Sequence, residues 1–469
     1  MMRFEKTPLK KTPSWLYFAF SFLVLLIIGL FMRDGWPLPR LMASVDHLVD
    51  GLVGWNDPRS FGTAAKDIAA HGQLSGDNAW IFHLWPPGFI FLEAGILKVF
   101  GADVPIIFVL EFFCCAFLGV MLLLQRDFLR PLIGRVASEV APFILFLFPV
   151  ARIFLVEPAG VILGEAFSVA SFLSGVLLVL RAIQAERLAW AVLAGLFLAV
   201  AAYFRSQYES LMLAATAVAV PLVLWQAVKI VRGAAQTKHQ ATVIVRSLLV
   251  ALMVAHVLML PWRIRNYHDR GGMGWVQTMD IVIQNALSSN EILLAGDGEF
   301  VIAGGGNLAC RLEPGYCGKT EKSLFFKAFL HHMPEWYGIK LSLVPDYWMA
   351  SPRNMSLIRY PASLVERIVN LVLMACVVMI VPLLGATRKH PVWPILLWAN
   401  LSFFGGFFVI FSLVQFEVRY FYLIKIYGLV MCIMLASIAW SQFSLRKRLA
   451  GAVSVGEECY SESERSSRT

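Results

Sequence analysis

Apolar residues in this chain come in long uninterrupted runs rather than in the one-sided stripes of a water-soluble core. The runs fall near 15–32, 103–125, 137–154, 160–180, 188–204, 209–228, 246–262, 363–384, 392–413 and 420–441. Each reaches the roughly 17 residues with which an α-helix can cross a bilayer. Backbone groups in lipid must be satisfied within their own segment, so the runs predict helices. A further apolar stretch, 87–100, is shorter and opens on Pro86-Pro87, which predicts an interfacial or re-entrant helix that does not cross. Two polar intervals are long, 33–102 and 263–362. The expected fold class is an all-α polytopic membrane protein of about ten transmembrane helices. It has a large first outer loop and a long outer loop between the seventh and eighth spans. The expected divisions are a transmembrane module at 1–262 that includes the loop 33–102, an outer region at 263–362, further transmembrane helices at 363–445, and a tail at 446–469.

Composition supports that class and charge orients it. Hydrophobic residues make up 58% of the chain and mean hydropathy is +0.69, well above soluble domains. The net charge of +9 is spread in small clusters between apolar runs, a pattern of topology rather than of nucleic-acid binding. Arg126, Arg130 and Arg135, then Arg181 and Arg187, then Lys229, Arg232, Lys238 and Arg246, then Arg388 and Lys389 occupy alternate loops. If 87–100 does not cross, all of them share a side with the basic N-terminus and with Arg446-Lys447-Arg448. The positive-inside bias makes that side cytoplasmic, with both termini on it. The expected location is a multi-pass plasma membrane, the bacterial inner membrane, with the active site facing the periplasm. The N-terminal run has no small-residue cleavage site before Arg33-Asp34 and is expected to stay as a span.

The same alternation gathers the polar outliers on the outer side. They are the Asn56-Asp57-Pro58 segment, Val156-Glu157-Pro158, Arg205-Ser206-Gln207-Tyr208-Glu209, the long outer stretch and Phe416-Glu417-Val418-Arg419-Tyr420. In the long stretch, Gly271-Gly272, Ser288-Ser289-Asn290 and Gly304-Gly305-Gly306 mark turns. Residues 322–333 pattern as an amphipathic surface helix stopped by Pro334, with His331-His332 as surface decoration. Cys310 and Cys317 stand seven residues apart on the oxidising side, which favours a disulfide closing a short loop over two free thiols. Cys114, Cys115, Cys376 and Cys432 lie in apolar runs as packing residues. The Ser- and Glu-rich tail from Gly456 is expected to be disordered.

Candidate chemistry starts at Asp57. Phe61, Ala65 and Ala69 follow at helical spacing, so Asp57 is either an N-cap ahead of Pro58 or a base that takes a proton from a hydroxyl or amine. Glu165 falls inside an apolar run, where a carboxylate costs about 2.5–3.5 kcal/mol at the bilayer centre and less near an end. It therefore faces a cavity or a cationic partner. Glu111, Arg152 and Lys425, also within apolar runs, are candidates to complete such a pair. Arg205, Arg263, Arg265 and Arg419 lie on the outer side, against the usual bias. They suit either outer-leaflet phospholipid or a ligand with an anionic head and a lipid tail, because guanidinium binds phosphate through paired hydrogen bonds. Tyr267 lies two residues past Arg265, and His83, just before Trp85-Pro86-Pro87, is a further candidate for substrate contact. No His, Asp or Glu spacing commits to a metal. Gly318-Lys319-Thr320 lacks the leading glycine and strand of a phosphate loop.

Taken in order, these pieces resemble a family. They are Asp57-x3-Phe61-x3-Ala65, Gly72 ahead of Pro86-Pro87-Gly88, Gly164-Glu165-Ala166, Tyr203-Phe204-Arg205, Pro261-Trp262-x2-Arg265-Asn266-Tyr267, and Arg419-Tyr420. The chain resembles, from first span to last, the GT-C superfamily of integral membrane glycosyltransferases. Within it the likeness is to the bacterial protein-mannosyltransferase-like and aminoarabinose-transferase-like branch. The resemblance implies an inverting transfer of sugar from a polyprenyl-phosphate donor to a lipid, glycan or protein acceptor at the outer face. It implies Asp57 as catalytic base and Glu165 as a residue that helps to build the site. Arg205 and Arg265 would be donor-phosphate ligands. Phe61 stands where a tyrosine is commoner, and Asn56-Asp57 where some relatives have two acids, which weakens the case for a metal. No cofactor is expected, and a divalent ion remains compatible with the pattern. The rival readings are a polysaccharide ligase or polymerase, and a carrier of lipid-linked sugar. A carrier would be expected to show internal repeats, and the chain shows no evident one.

Overall fold

The computed structural model describes residues 13–32, 42–49, 56–74, 76–156, 164–233, 235–270, 283, 286–287, 308–351, 362–413 and 418–466. Every described element is helical. The chain runs through α1 (Ser14–Phe31), α2 (Asn56–His71), α3 (Gly88–Phe100) and α4 (Ile106–Ile133). A bent pair follows, α5 (Arg135–Leu147) and α6 (Pro149–Leu155). Next come α7 (Glu165–Ala185), α8 (Leu188–Phe204), α9 (Ser206–Arg232) and α10 (Ala235–Arg270). The second long polar interval carries α11 (Lys322–His331) and α12 (Met333–Met349). Helices α13 (Leu364–Ala386), α14 (Trp393–Leu413) and α15 (Val418–Ser466) close the chain. Among the described residues 8 helices are long and apolar enough to cross a membrane: α1, α4, α7, α9, α10, α13, α14 and α15. The protein is an all-α polytopic membrane protein.

Two of the ten expected spans differ from simple rods. The run 137–154 is broken, its halves meeting at 87°. Pro149 has no N–H to donate and holds Phe148 extended (φ −94°, ψ 128°), which ends the first half. The break would strand carbonyls in an apolar setting. Arg152 turns back and donates from Nη1 to Phe146 O at 3.0 Å and Leu147 O at 2.9 Å. The run 188–204 forms α8, a 17-residue apolar helix at the lower limit of length for a span. It lies between α7 and α10, where small residues let backbones close in. A side chain on Gly195 would run into Ala251 O and Val254, and one on Gly175 into Leu198. The stretch 87–100 forms α3, 13 residues long, or about 20 Å, too short to cross.

Contacts sort the helix ends into two groups. At one end, the hydroxyl of Tyr203 donates to Leu258 O at 2.7 Å, Cys114 Sγ lies 3.2 Å from Phe154 O, and Gly29 sits against Glu111 and Leu155. At the other, His239 pairs with Glu186, Gln240 donates to Pro391 O, and Trp225 meets Trp393 edge-on at 6.1 Å. Both long polar intervals attach to the first group, here termed the loop-rich end.

The second polar interval docks on the bundle. Trp336 Nε1 donates to Ser412 O at 2.8 Å, Lys340 Nζ to Phe411 O at 2.6 Å and Trp348 Nε1 to Asn370 O at 2.9 Å. Burial pushes the Lys340 ammonium down to about 7. Pro334 does not stop the surface helix, which ends at His331. It sits in the first turn of α12, where a missing N–H costs nothing. Cys310 and Cys317 form a disulfide with Cα atoms 4.6 Å apart. The expected glycine and serine turns at 271–272, 288–290 and 304–306 lie outside the described residues. The tail expected to be disordered is instead helical to Ser466. Extending α15 requires no new nucleation and meets no proline after the span.

Arg152→Leu would leave two carbonyls at the break without their donor, each worth about 1–3 kcal/mol. Thermal unfolding of the purified protein in detergent should show a clear loss of stability, with Arg152→Lys intermediate. An unchanged melting temperature for Arg152→Leu would contradict this account of the bend.

Candidate active site

The loop-rich end is assembled on the last turn of α8. Gly88, which opens α3, lies so close that a Cβ on it would be 2.6 Å from Tyr203 O. Gly164, just before α7, would bring a Cβ to 2.5 Å from Phe204 O. Neither position has room for any other residue. The Pro86-Pro87-Gly88, Gly164-Glu165-Ala166 and Tyr203-Phe204-Arg205 pieces are therefore one contact in space. Aromatic rings fill the gap around it: Phe167 stacks on Phe204 at 4.8 Å, and Phe89 lies 5.9 Å from Phe167.

Helix α2 joins the cluster through its apolar face. Phe61 and Ala65 are buried, and the Phe61 ring meets Trp85 at 5.3 Å and Phe89 at 5.9 Å. Phenylalanine suits a position that packs against rings and is almost wholly buried. Asp57 lies in the first turn of α2, one turn ahead of Phe61. The helix begins at Asn56, two residues earlier than the Pro58 start that an Asp57 cap requires. The Asp57 side chain lies outside the description, as do those of His83 and Arg419; Glu157 lies wholly outside it.

Glu165 has Arg205 as an ion-pair partner, which the charges at Glu111, Arg152 and Lys425 did not suggest. Arg205 Nη2 lies 2.8 Å from Glu165 Oε1, with side chains 6% and 0% exposed. Arg205 is the extended residue (φ −148°, ψ 127°) between α8 and α9, which frees its side chain to reach the first turn of α7. Lys425 instead donates to Trp348 O at 2.7 Å and Asn370 Oδ1 at 2.9 Å.

The two arginines of the Pro-Trp-x-x-Arg-Asn-Tyr piece have different surroundings. Arg263 is buried and donates from Nε to Glu209 Oε1 at 3.1 Å and from Nη1 to His256 Nδ1 at 2.9 Å. Nδ1 must then accept, so Nε2–H faces Thr216 Oγ1 at 2.7 Å, and α9 is tied to α10. Arg265 is half-buried and turned toward the first polar interval. Its guanidinium lies 4.8 Å from the Trp262 ring centroid and 5.3 Å from that of Phe82, and Nη1 donates to Phe82 O at 3.3 Å. Tyr267 is exposed.

Sequence reasoning passed over Glu93. It lies five residues past Gly88 on α3 and is buried, and burial pushes its carboxyl well above the usual carboxylate range. A lone acid inside the apolar stretch 87–100 was the available signal. Sequence reasoning also took His331 and His332 for decoration. Both ring nitrogens approach Glu313 Oε1, at 3.2 and 2.8 Å, and the three side chains form a set that could hold a metal ion. Those two hydrogen bonds, His332 first, hold the Glu313 carboxyl below its ordinary value.

No protein-family model matches the sequence, and no curated protein does either. Solved structures similar to this chain include the archaeal oligosaccharyltransferase AglB from Archaeoglobus fulgidus in complex with an inhibitory peptide and a dolichol-phosphate. It shows 13% identity and a TM-score of 0.45, over 94% of this chain and 52% of that one. The Archaeoglobus fulgidus oligosaccharyltransferase in complex with Zn and sulfate shows 12% identity and a TM-score of 0.46, over 93% and 51%. The chain thus spans about half the length of the structures it matches. A likeness at this level brings no activity, substrate or site with it.

Removing one member of a buried ion pair strands the other charge, at about 3–5 kcal/mol. Glu165→Gln and Arg205→Met should each lower the melting temperature in detergent sharply, and the double variant should recover most of the loss. Equal, additive losses in the double variant would show that the two side chains do not act as a pair.

Proposed function

We propose that this protein is a membrane glycosyltransferase of GT-C type that takes its sugar from a polyprenyl-phosphate donor. The observation that carries the proposal is the meeting of α2, α3, α7, α8 and α10 at one end of the bundle. There an acid-bearing helix start, a buried Glu–Arg pair and an arginine among aromatic rings belong to one neighbourhood. The order of the motifs in the chain, matched to the superfamily, supplies the reaction class.

In this reading Asp57 takes the proton from the acceptor hydroxyl or amine. The acceptor attacks the anomeric carbon from the face opposite the lipid phosphate. The anomeric C–O bond breaks with its electrons going to the phosphate, and the anomeric configuration inverts. Charge develops on the leaving phosphate, and Arg265 is the arginine proposed to meet it. Its neighbours Trp262 and Phe82 hold the guanidinium in place, so it need not reorganise as charge grows. Glu165 and Arg205 act as positioning residues that lock the start of α7 to the end of α8. Arg263, engaged with Glu209 and His256, serves the same purpose between α9 and α10. The leaving group is already a phosphate, so the step draws on no nucleotide. The active site faces the periplasm in this reading, and both termini are cytoplasmic.

Lipids and surface glycans from cells carrying the wild-type chain, Asp57→Asn or a deletion should separate the readings by mass spectrometry. Loss of one glycan modification in both the deletion and Asp57→Asn, with the variant present in the membrane at normal abundance, is the expected result. Transfer is expected to fall by 100-fold or more, on the order of a lost general base. Wild-type glycans in Asp57→Asn beside a changed deletion strain would overturn the base assignment and favour a carrier. Loss of long polymer alone would favour a polymerase or ligase.

A further inference from the structure

The end of the bundle opposite the candidate active site holds a cleft that sugar transfer does not use. It has a volume of about 440 Å³ and opens between the start of α1, the C-terminal part of α4 and the end of α7. Its charged lining is Arg126, Asp127, Arg130 and Arg181, with Gln184 beside them. In sequence these arginines are ordinary topology signals from two separate loops. In space they surround one hollow.

The carboxylate of Asp127 is already shared. Arg126 donates to Oδ1 from Nε at 3.1 Å and from Nη2 at 2.7 Å, and Arg181 Nη1 donates to Oδ2 at 2.6 Å. Both guanidiniums are also held by rings, Arg126 at 4.5 Å from Tyr17 and Arg181 at 4.4 Å from Trp190. Arg126 is 2% exposed, so it is not a solvated surface charge, and its buried Nη1 has no hydrogen-bond partner among the described residues. Arg130 lines the same cleft and forms no ion pair among the described residues. Three guanidiniums thus line a cleft that holds a single carboxylate; two are locked in geometry, and one of those two, Arg126, is buried with a donor unused. A buried donor without an acceptor is costly, and Arg126 lines the cleft that an anion would enter.

We propose that this cleft is a binding site for a phosphate group. Fixed guanidinium forks match phosphate oxygens in a way that lysine does not. Basic pockets between transmembrane helices near a membrane surface are suited to the headgroups of anionic lipids, and Trp190 suits such an interface. A headgroup phosphate and a small soluble phosphate compound share this chemistry, and they are separable by experiment. The inference stands apart from sugar transfer and does not depend on it.

The test uses the full chain in neutral detergent and native mass spectrometry, with phosphatidylglycerol or phosphatidylcholine of the same acyl chains added. A parallel arm measures thermal stabilisation by inorganic phosphate. Arg130→Gln removes a lining charge with no described partner and keeps the Arg126–Asp127–Arg181 set, so it should fold as the wild type does. Preferential retention of phosphatidylglycerol, lowered about fivefold in Arg130→Gln, supports a lipid headgroup. Stabilisation by inorganic phosphate that Arg130→Gln weakens, without lipid preference, supports a soluble phosphate compound. Equal retention of the two lipids with no phosphate effect, or the same binding in wild type and Arg130→Gln, overturns the proposal.

Discussion

Two glycines pressed against the end of one short helix set the geometry of the loop-rich end. Gly88 and Gly164 come from segments far apart in sequence, and both rest on the carbonyls of Tyr203 and Phe204. The last turn of α8 is the seat on which both rest. The Phe89, Phe167 and Phe204 rings pack around that seat and α2 packs on Phe89 through Phe61. A methyl group at either glycine would separate α3 or α7 from α8 and move every other part of the site. The position of Asp57 rests on this contact at second hand, through the face of α2 that carries Phe61 and Ala65.

The buried charges follow the same logic of mutual fixing. Glu165 with Arg205 and Glu209 with Arg263 each join two helices at the same end. In a low-dielectric setting such pairs are weak sources of net stability but strong constraints on register, since neither charge tolerates separation. Arg152 does comparable work for the break between α5 and α6, donating to the carbonyls of Phe146 and Leu147 at the end of the first half. Polar residues inside the apolar runs therefore act mainly as fasteners. Arg265 differs from Arg263, two residues away, in being half-buried and stacked between rings near the first polar interval. That difference is what recommends it as the phosphate ligand.

Much of the fold could be seen in the residue pattern because bilayer thickness imposes run length. The all-α class follows from that alone, and the shortness of the stretch 87–100 is visible in the same way. The break at Pro149 is not, since hydropathy averages over a proline and returns a continuous span. The pairing of Glu165 with Arg205 was hidden for another reason: several buried charges compete on paper, and packing brings these two within reach. Pro334 was misread because a proline that ends one helix and a proline that starts the next look alike in sequence. Gly88 and Gly164 were visible as members of motifs, yet the reason for glycine, a shared backbone seat, needs three dimensions. The Asp57 role rests on sequence and resemblance, with α2 supplying its helix start.

The most direct test of the account asks where a lipid phosphate sits. A polyprenyl phosphate bearing a photoreactive group next to its phosphate would be incubated with the purified full chain, irradiated, and its adducts mapped by peptide mass spectrometry. The account predicts adducts concentrated at the loop-rich end, in the segments around Asp57, Phe82 and Arg265, reduced in Arg265→Gln. Adducts spread evenly along the helices, or confined to the far end around Arg126 and Arg181 and unchanged by Arg265→Gln, would contradict it.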